Sequence, residues 1–347
     1  MKKNLLSMIA LVCTMTAHAQ LSDRVSATLQ VGENTTIFYG FDAFKDAITA
    51  APSDAVSVIT LSPGAFNNPG EITKKVKIYG AGFQEDTENN VSETRVSGDL
   101  TIKSNDEATP TVRIEGVYFV GGATISGTQK ISDTEIVKCS FNGITLSVES
   151  NNTIIRQSYN RGGINGNNAK ASGFISANCY VAGRIFNFGS SSEVSIVNCV
   201  MPYSDSYYNV RYHGPYFYKN NIIGQRDNGS ISNGATCQYN VGCLSAMSSG
   251  GNNNVYGNYD TQDWASLFAD GLNNLNYTNN DGVPRTWVLA EPTKYVGSDG
   301  TPCGVTGGDF PWNPIPATPR IISTSVDAKS EAGKLKVTIK AEARPIE

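Results

Sequence analysis

The segment from Met201 to Tyr218 gathers most of the side chains in this chain that could bind a sugar or perform acid–base chemistry. Tyrosine rings stack on sugar rings, and their hydroxyl groups, like a guanidinium, hydrogen-bond sugar oxygens or uronate carboxylates. We therefore predict a substrate-binding cluster made of five tyrosines and one arginine from the preceding repeat: Tyr203, Tyr207, Tyr208, Tyr212, Tyr216 and Arg184.

The same segment could support catalysis. A lone histidine or arginine can serve as the general base of a lyase, so the candidate catalytic residues are Arg211, His213 and Asp205. In the alternative interpretation the tyrosines only cover a loop, and His213 occupies a tight turn before Pro215. Both interpretations stay open, and the sequence does not decide whether the protein is an enzyme.

Several arginines could form a second recognition feature if stacking of repeats brought them into one groove. An arginine cluster binds carboxylate or sulfate groups through bidentate hydrogen bonds, as an anionic polysaccharide would require. The alternative, which we favour, is that these arginines are scattered and solvated. They are Arg156, Arg161, Arg184, Arg211 and Arg226.

The cysteines favour a structural role. Their spacings match no zinc motif, and three of them recur in the same short turn phrase, which predicts a column of small buried side chains: Cys139, Cys179 and Cys199. Cys243 and Cys303 are the candidate disulfide pair, which would tie the tail to the coil. We predict no cofactor and no metal site. A calcium loop around Asp299 and Asp309 is the alternative to a glycine-rich turn that packs Phe310 and Trp312 against the last coil.

A repeat of about 20 residues organises the chain between Gly122 and Tyr259. One apolar series steps by 19, 20, 21, 25 and 21 residues: Ile125, Ile144, Ile164, Ile185, Val210 and Ile231. A second steps by 19, 20, 21 and 21: Ile136, Ile155, Ile175, Ile196 and Phe217. A fixed period in this range indicates a solenoid, in which each repeat buries its apolar face only against its neighbours.

The composition of each repeat identifies the type of solenoid. Short runs of Ile, Val, Phe and Thr alternate with Gly, Asn and Ser, which is typical of strands and turns. About 20 residues suffice for one coil of a parallel β-helix, whose successive coils stack at about 4.8 Å. We predict an all-β fold, a right-handed single-stranded parallel β-helix of about ten coils. An N-terminal helical cap and a C-terminal loop and β-hairpin closure complete it.

The ends of the chain predict its processing and closure. Met1 to Ala19 has the charged start, apolar core and small-x-small site of a signal peptide. Phe41 to Ala50 is an amphipathic helix in the cap, and Arg320 to Val326 should pair with the last alternating segment as a hairpin. The predicted divisions are 1–19 signal peptide, 20–55 cap, 56–260 β-helix, 261–319 loop-rich closure and 320–347 hairpin.

The charge and hydropathy of the chain argue against some classes of binding partner and against a membrane span. Removal of Lys2 and Lys3 with the signal peptide leaves 25 basic and 31 acidic residues, a net charge of −6. Such a surface argues against nucleic acid and anionic membranes as partners. The apolar part of the signal is too short to span a bilayer, so we predict no membrane span and an exported protein, located in the periplasm, on the cell surface or outside the cell.

Residues 112–119, which read Val-Arg-Ile-Glu-Gly-Val-Tyr-Phe, and the repeats after them resemble the right-handed parallel β-helix superfamily of pectate lyases. The tail segments Asp299 to Thr301, Gly304 to Gly308 and Phe310 to Trp312 resemble a closing motif of secreted Bacteroidetes β-helix proteins. This resemblance implies the fold but little about function, because one scaffold hosts lyases, hydrolases, adhesins and inert proteins. His213-Gly214 lacks the aspartate partners of polygalacturonases, and the acids of the regular coils are too few for a lyase calcium cluster.

The leading functional hypothesis is therefore a secreted or surface-associated β-helix that binds a polysaccharide or cell-surface glycan without established catalysis. A polysaccharide lyase or glycoside hydrolase acting on acidic polysaccharide is one alternative. A structural or adhesive surface protein is another. The sequence determines neither the oligomeric state nor the sugar.

Overall fold

A computed structural model of the chain describes residues 25–89, 91–105, 109–201, 216–224, 234–242, 244–248, 252–261, 264–270, 285–317, 320–326 and 337–342. Within these residues the chain coils into a parallel β-helix, as predicted. Each described coil adds one strand to each of two long sheets, and the first six coils also add a strand to a third sheet. The number of coils is close to the ten expected, since sheet 1 contains twelve strands and all but the first two join it parallel to their neighbours.

Sheet 1 comprises, in spatial order, β2 (Asn34–Tyr39), β1 (Ser26–Val31), β3 (Ser57–Leu61), β6 (Val76–Tyr79), β9 (Val112–Glu115), β13 (Glu135–Val137), β17 (Ile154–Arg156), β21 (Phe174–Ala177), β24 (Val194–Val197), β26 (Phe217–Lys219), β28 (Thr236–Gln238) and β30 (Asn254–Tyr256). Sheet 2 comprises β4 (Gly64–Phe66), β7 (Thr94–Val96), β10 (Tyr118–Phe119), β14 (Ser140–Phe141), β18 (Tyr159–Asn160), β22 (Tyr180–Val181), β25 (Val200–Met201), β27 (Ile222–Ile223), β29 (Val241–Gly242) and β31 (Tyr259–Asp260).

Sheet 3 comprises β5 (Glu71–Ile72), β8 (Leu100–Ser104), β11 (Ala123–Gly127), β15 (Ile144–Leu146), β19 (Ile164–Asn165) and β23 (Ile185–Phe186). A small sheet contains β12 (Ile131–Ser132), β16 (Ser150–Asn151) and β20 (Ala171–Ser172). The helices are α1 (Ala43–Ala50), α2 (Leu244–Ser248) and α3 (Trp264–Leu267). The predicted terminal hairpin is confirmed, with β32 (Arg320–Val326) antiparallel to β33 (Val337–Glu342).

The apolar columns of the interior follow the predicted period, but two assignments were off by one residue. In sheet 1 the inward column runs through Ile136, Ile155 and Ser176, so Ile175 points outward. Two coils further on, Tyr218 lies inward and Phe217 outward. Neighbouring apolar residues fit either face, and a slip of one residue exchanges the two faces of a strand. Val210 and Ile231 lie outside the described residues.

The first series was displaced by two residues, which keeps it on the inward face of the strand. Strand register stacks Ile125 on Leu146, whereas Ile144 stacks on Ala123 and continues to Ile164 and Ile185. The column that contains Ile144, Ile164 and Ile185 therefore begins at Ala123, two residues before the predicted Ile125.

The N-terminal cap is the predicted helix, placed against the first coil. Phe44, Ala47 and Ile48 of α1 are buried, but Phe41 is 62% exposed and precedes the helix. The Lys74 ammonium donates hydrogen bonds to the carbonyls of Ile48, Thr49 and Ala51 at 2.6–2.9 Å. These are orphan carbonyls of the last helical turn, so Lys74 ties the cap to the first coil.

A column of left-handed bends separates sheet 1 from sheet 2. One residue per coil takes a positive φ of 47–57°: Lys138, Gln157, Asn178, Asn198, Asn220 and Tyr239. The next residue of each coil points into the interior, which buries the thiols of Cys139, Cys179 and Cys199 as predicted. In the last coils the interior position is asparagine, and Asn221, Asn240 and Asn258 form a hydrogen-bonded ladder.

The loop-rich tail runs back along this bend column as a strap, defined here as residues 295–317. Polar bend side chains hold it: Asn178 donates to the carbonyls of Val305 and Gly307 at 3.0 and 2.6 Å, and Gln157 donates to Pro311 at 2.7 Å. The tail therefore does not close the last coil alone. Phe310 lies under the Arg156 guanidinium and Trp312 packs against Phe83 near the first coil.

Candidate functional site

Most of the predicted tyrosine cluster lies outside the described residues. This applies to Tyr203, Asp205, Tyr207, Tyr208, Arg211, Tyr212 and His213, whose roles stay predictions. Tyr216 is described, and the prediction for it does not hold. It is fully buried in the β-helix interior, with Phe188 edge-on to it at 5.8 Å and Tyr218 at 6.3 Å. Burial raises the pKa of Tyr216 to about 12, and the ring is not available to a ligand on the surface.

The three predicted arginines that the structure describes, Arg156, Arg161 and Arg184, do not combine into one groove. Arg184 is partly exposed at the corner before β23, and its carbonyl accepts a hydrogen bond from the Ile164 amide at 2.6 Å. Arg156 stacks on Phe310 of the strap, with its guanidinium carbon 4.7 Å from the ring centre. Arg161 lies over the Tyr118 ring of sheet 2 at 4.6 Å and hydrogen-bonds the Tyr118 hydroxyl at 2.7 Å. The latter two arginines stabilise different faces of the fold, and Arg226 lies outside the described residues.

Only one cysteine of the predicted Cys243–Cys303 bridge, Cys303, lies within the described residues. Cys303 is a buried free thiol whose Sγ contacts the Tyr239 carbonyl oxygen at 3.0 Å, and Cys243 lies outside the described residues. The thiol of Cys303 fills the space between the strap and the bend column. It packs there as a small apolar side chain.

Asp299 has a structural role in the strap. One of its oxygens accepts hydrogen bonds from the amide and hydroxyl of Thr301 at 2.9 and 2.7 Å, and the other accepts from the Asn220 amide group at 2.9 Å. Across the described part of the chain, no group of three or more His, Cys, Asp or Glu residues is placed to hold a metal ion.

A groove of about 480 Å³ on the outer face of sheet 1 is the strongest candidate site. It crosses the first coils, where β3, β6, β9 and β13 lie side by side. We call it the ion-pair groove. Its polar lining consists of Lys77, Tyr79, Thr111, Arg113, Glu115, Asp133 and Glu135, and Val56 and Ala317 lie at its margins.

Strand register brings these charges together. Lys77, Arg113 and Glu135 are in register on three adjacent strands, and Tyr79 is in register with Glu115. Because side chains alternate between the faces of a strand, all five occupy the outer face, while the residues between them enter the core. The β-helix therefore aligns charges that lie 36 and 22 residues apart in the sequence.

Arg113 is the centre of the groove. Its guanidinium donates to Glu115 Oε2 at 2.8 Å and also to Glu135 Oε2. Desolvation lowers the pKa of Arg113. The hydrogen bond to Glu115 and the negative charges of Glu115 and Glu135 together raise it by more, so the pKa lies above its usual value. Arg113 thus stays a cation that links two carboxylates on adjacent coils.

Glu115 connects the groove to the strap. Its side chain is 4% exposed, and its second oxygen, Oε1, accepts a hydrogen bond from the Ala317 amide at 2.9 Å. The same end of the strap packs Pro316 close to Gly116 and Gly82. Both oxygens of Glu115 are therefore engaged by protein groups, which suits a carboxylate that positions Arg113 and not one that reacts with a substrate.

Sequence reasoning missed this groove because the first coils depart from the 20-residue period. A usable signal was present in the strands themselves. Residues 76–79, Val-Lys-Ile-Tyr, and residues 112–115, Val-Arg-Ile-Glu, each alternate core residues with charged or aromatic ones. Aligning strands by this alternation, and not by period, would have placed Lys77 beside Arg113 and Tyr79 beside Glu115.

Comparison of this chain with protein-family models, curated proteins and solved structures finds no match. The parallel β-helix fold therefore rests on the strand pairing described above. The finer assignments, to pectate lyases and to secreted Bacteroidetes β-helix proteins, stay predictions. Among the helices of the described residues, none has the length and apolar character needed to cross a membrane.

Proposed function

We propose that this protein is an exported β-helix that binds a glycan in the ion-pair groove without processing it. The observation that supports the proposal is the arrangement of Tyr79, Lys77 and the Arg113 ion-pair cluster on the outer face of sheet 1. Sugar-binding sites combine a flat or apolar surface for the C–H face of a ring with a few fixed polar groups for its hydroxyls.

The groups in the groove match those requirements. The partly exposed ring of Tyr79 offers the surface, and Glu135, 36% exposed, offers a carboxylate for sugar hydroxyls. The polar groups are held in place before binding, because Arg113 is fixed by two carboxylates and Glu115 by the strap. Preorganised groups lose less conformational freedom on binding, which favours affinity.

The charges of the groove favour a ligand without a large negative charge. Lys77 and Arg113 provide two positive charges, against three negative charges from Glu115, Asp133 and Glu135. Arg113 is also already paired with two of these carboxylates. A uronic acid polymer would meet net repulsion here, so we propose a neutral or weakly charged glycan.

A glycan array with the protein lacking residues 1–19 tests the proposal, followed by titration calorimetry with each glycan retained. Tyr79→Ala should weaken binding about tenfold, because a stacking contact of roughly 1.4 kcal/mol is lost. Tyr256→Ala is the matched control, since Tyr256 is an exposed tyrosine on the last strand of the same sheet. Equal binding by Tyr79→Ala and the wild type would contradict the proposal.

The array also separates the alternatives. An acidic-polysaccharide lyase or hydrolase would retain uronic acid polymers and release unsaturated products or new reducing ends from them. A structural or adhesive protein would retain no glycan in the groove, and its binding would depend on the terminal hairpin.

A further inference from the structure

A second groove, of about 400 Å³, lies on the outer face of sheet 3. One outward side chain from each of four successive strands lines it, and the strand register stacks these side chains into a column: Thr124, Thr145, Asn165 and Phe186. All four are partly exposed. We call this feature the threonine groove, and it is separate from the ion-pair groove because it belongs to a different sheet.

Glycines at the corner where the chain enters sheet 3 let successive coils approach closely. Gly122, Gly143 and Gly163 line its edge on successive coils. A Cβ atom at Gly163 would come within 2.6 Å of the Arg184 carbonyl oxygen, and one at Gly122 would come within 3.1 Å of the Gly143 carbonyl oxygen. A side chain at Gly163 would therefore push the two coils apart, whereas one at Gly122 would need only a small shift of its neighbour.

The lining of the threonine groove is suited to hydroxyl groups. Threonine hydroxyls and asparagine amides both donate and accept hydrogen bonds, as sugar hydroxyls do. Among the described residues of the lining, the only charged group is Asp99, which is exposed and accepts a hydrogen bond from the Gly122 amide at 2.7 Å. The described lining contains no cation that would attract uronate or sulfate groups.

The spacing of the column also suggests a polymer. Successive strands of a sheet lie about 4.8 Å apart, which is roughly the length of one pyranose unit along a chain. A polysaccharide that runs along the β-helix axis would therefore place one sugar unit over each coil. Phe186 ends the described column and provides an aromatic face on which a sugar ring can stack.

From these observations we infer that the threonine groove is a second glycan site, which takes a neutral polysaccharide lying along the axis of the β-helix. Its ligand contacts would come from Thr124, Thr145, Asn165 and Phe186. The site does not depend on the ion-pair groove, and the two can be tested separately by substitution.

Affinity gel electrophoresis on a panel of soluble neutral polysaccharides (xylan, mannan, mixed-linkage glucan and galactan) tests the inference. Phe186→Ala should weaken retention about tenfold on the polysaccharide that binds, because the stacking surface is lost. Thr145→Val removes one hydroxyl at nearly constant shape and should weaken retention about fivefold. Phe217→Ala is the control, since Phe217 is a partly exposed outward phenylalanine on sheet 1.

Circular dichroism of each variant confirms that the fold is intact. The inference is supported if Phe186→Ala and Thr145→Val lose retention while Phe217→Ala keeps it. It is overturned if no polysaccharide in the panel retards the wild type. It is also overturned if Phe186→Ala and Thr145→Val migrate like the wild type. If in that case Tyr79→Ala alone loses retention, all glycan binding belongs to the ion-pair groove.

Discussion

Replacement of Asn221 by alanine should destabilise the protein more than any substitution of an exposed asparagine. Asn221 is fully buried at the start of the asparagine ladder. Its Oδ1 accepts a hydrogen bond from the Cys199 amide at 2.8 Å, and its Nδ2 donates to the Ile196 carbonyl at 2.8 Å and to Asn240 Oδ1 at 2.9 Å. One side chain therefore links three successive coils.

The expected loss follows from these bonds. Each buried hydrogen bond contributes about 1 kcal/mol net, and a buried amide left without an acceptor costs about 1–3 kcal/mol. Asn221→Ala leaves the buried Cys199 amide without an acceptor, and it removes the amide group that donates to the Ile196 carbonyl and to Asn240 Oδ1. The free energy of unfolding should therefore fall by about 3–5 kcal/mol.

Two further variants make the measurement specific. Asn258→Ala removes a partly exposed member of the same ladder, where water can replace the lost groups, and should cost about 1–2 kcal/mol. Asn221→Ser should recover part of the loss, because Ser158 holds the equivalent place in an earlier coil and its Oγ accepts the Cys139 amide at 3.2 Å.

Urea denaturation followed by circular dichroism measures the effect, with the slope of the transition recorded beside its midpoint. Solenoid coils can unfold in parts, and a changed slope would show that coils have lost their coupling. If Asn221→Ala loses no more stability than Asn258→Ala, the buried bonds of the ladder do not hold the coils together as argued.

Three other substitutions or treatments have expected outcomes. Asn178→Ala removes two hydrogen bonds to the strap, so stability should fall by about 2 kcal/mol, with faster amide hydrogen exchange near Val305 as the readout. Burial raises the pKa of the Cys139, Cys237 and Cys303 thiols to about 12. Iodoacetamide should therefore spare these thiols in the folded protein at pH 8 and label them after unfolding without reductant, as read by mass spectrometry. If Cys303 stays unlabelled after unfolding without reductant, it is held in a disulfide bridge. The raised folded-state pKa also means that these thiols stabilise the fold fully below about pH 9, and denaturation midpoints should fall as the pH rises from there towards 12. Glu115→Gln keeps an acceptor for the Ala317 amide but removes a buried charge beside Arg113, so stability should fall by about 1–2 kcal/mol at low salt. No change in the denaturation midpoint would contradict this account of the pair.

The sequence predicted the stacking of the coils, but it did not always predict which residues of a strand face the core. The 20-residue period predicted stacked coils, and it placed Ile136, Ile155 and Ile196 correctly in the core. It placed Ile175 in the core as well, although the inward residue is Ser176. A stretch such as Phe-Ile-Ser-Ala fits either face locally, and only pairing with the neighbouring strand selects one.

The candidate sites were harder to foresee. The sequence pointed to the tyrosines of the long repeat, but Tyr216 packs in the core beside Tyr218 of the same coil. The ion-pair groove depends on contacts between Arg113 and residues on other coils, and on a strap amide at Ala317 that lies about 200 residues away. No local pattern encodes such a contact.

By itself the sequence determined the architecture, because a repeat of fixed length that cannot bury its own apolar face must stack on copies of itself. It also determined where the chain bends, since asparagine tolerates the left-handed conformation of Asn178 and Asn198. Only the tertiary structure decided what those bends do. The bend side chains of Asn178 and Gln157 bind the strap, because the strap returns along the column and its backbone carbonyls need donors once they are removed from water. The grooves were decided in the same way, by which outward side chains the strand register places on neighbouring coils.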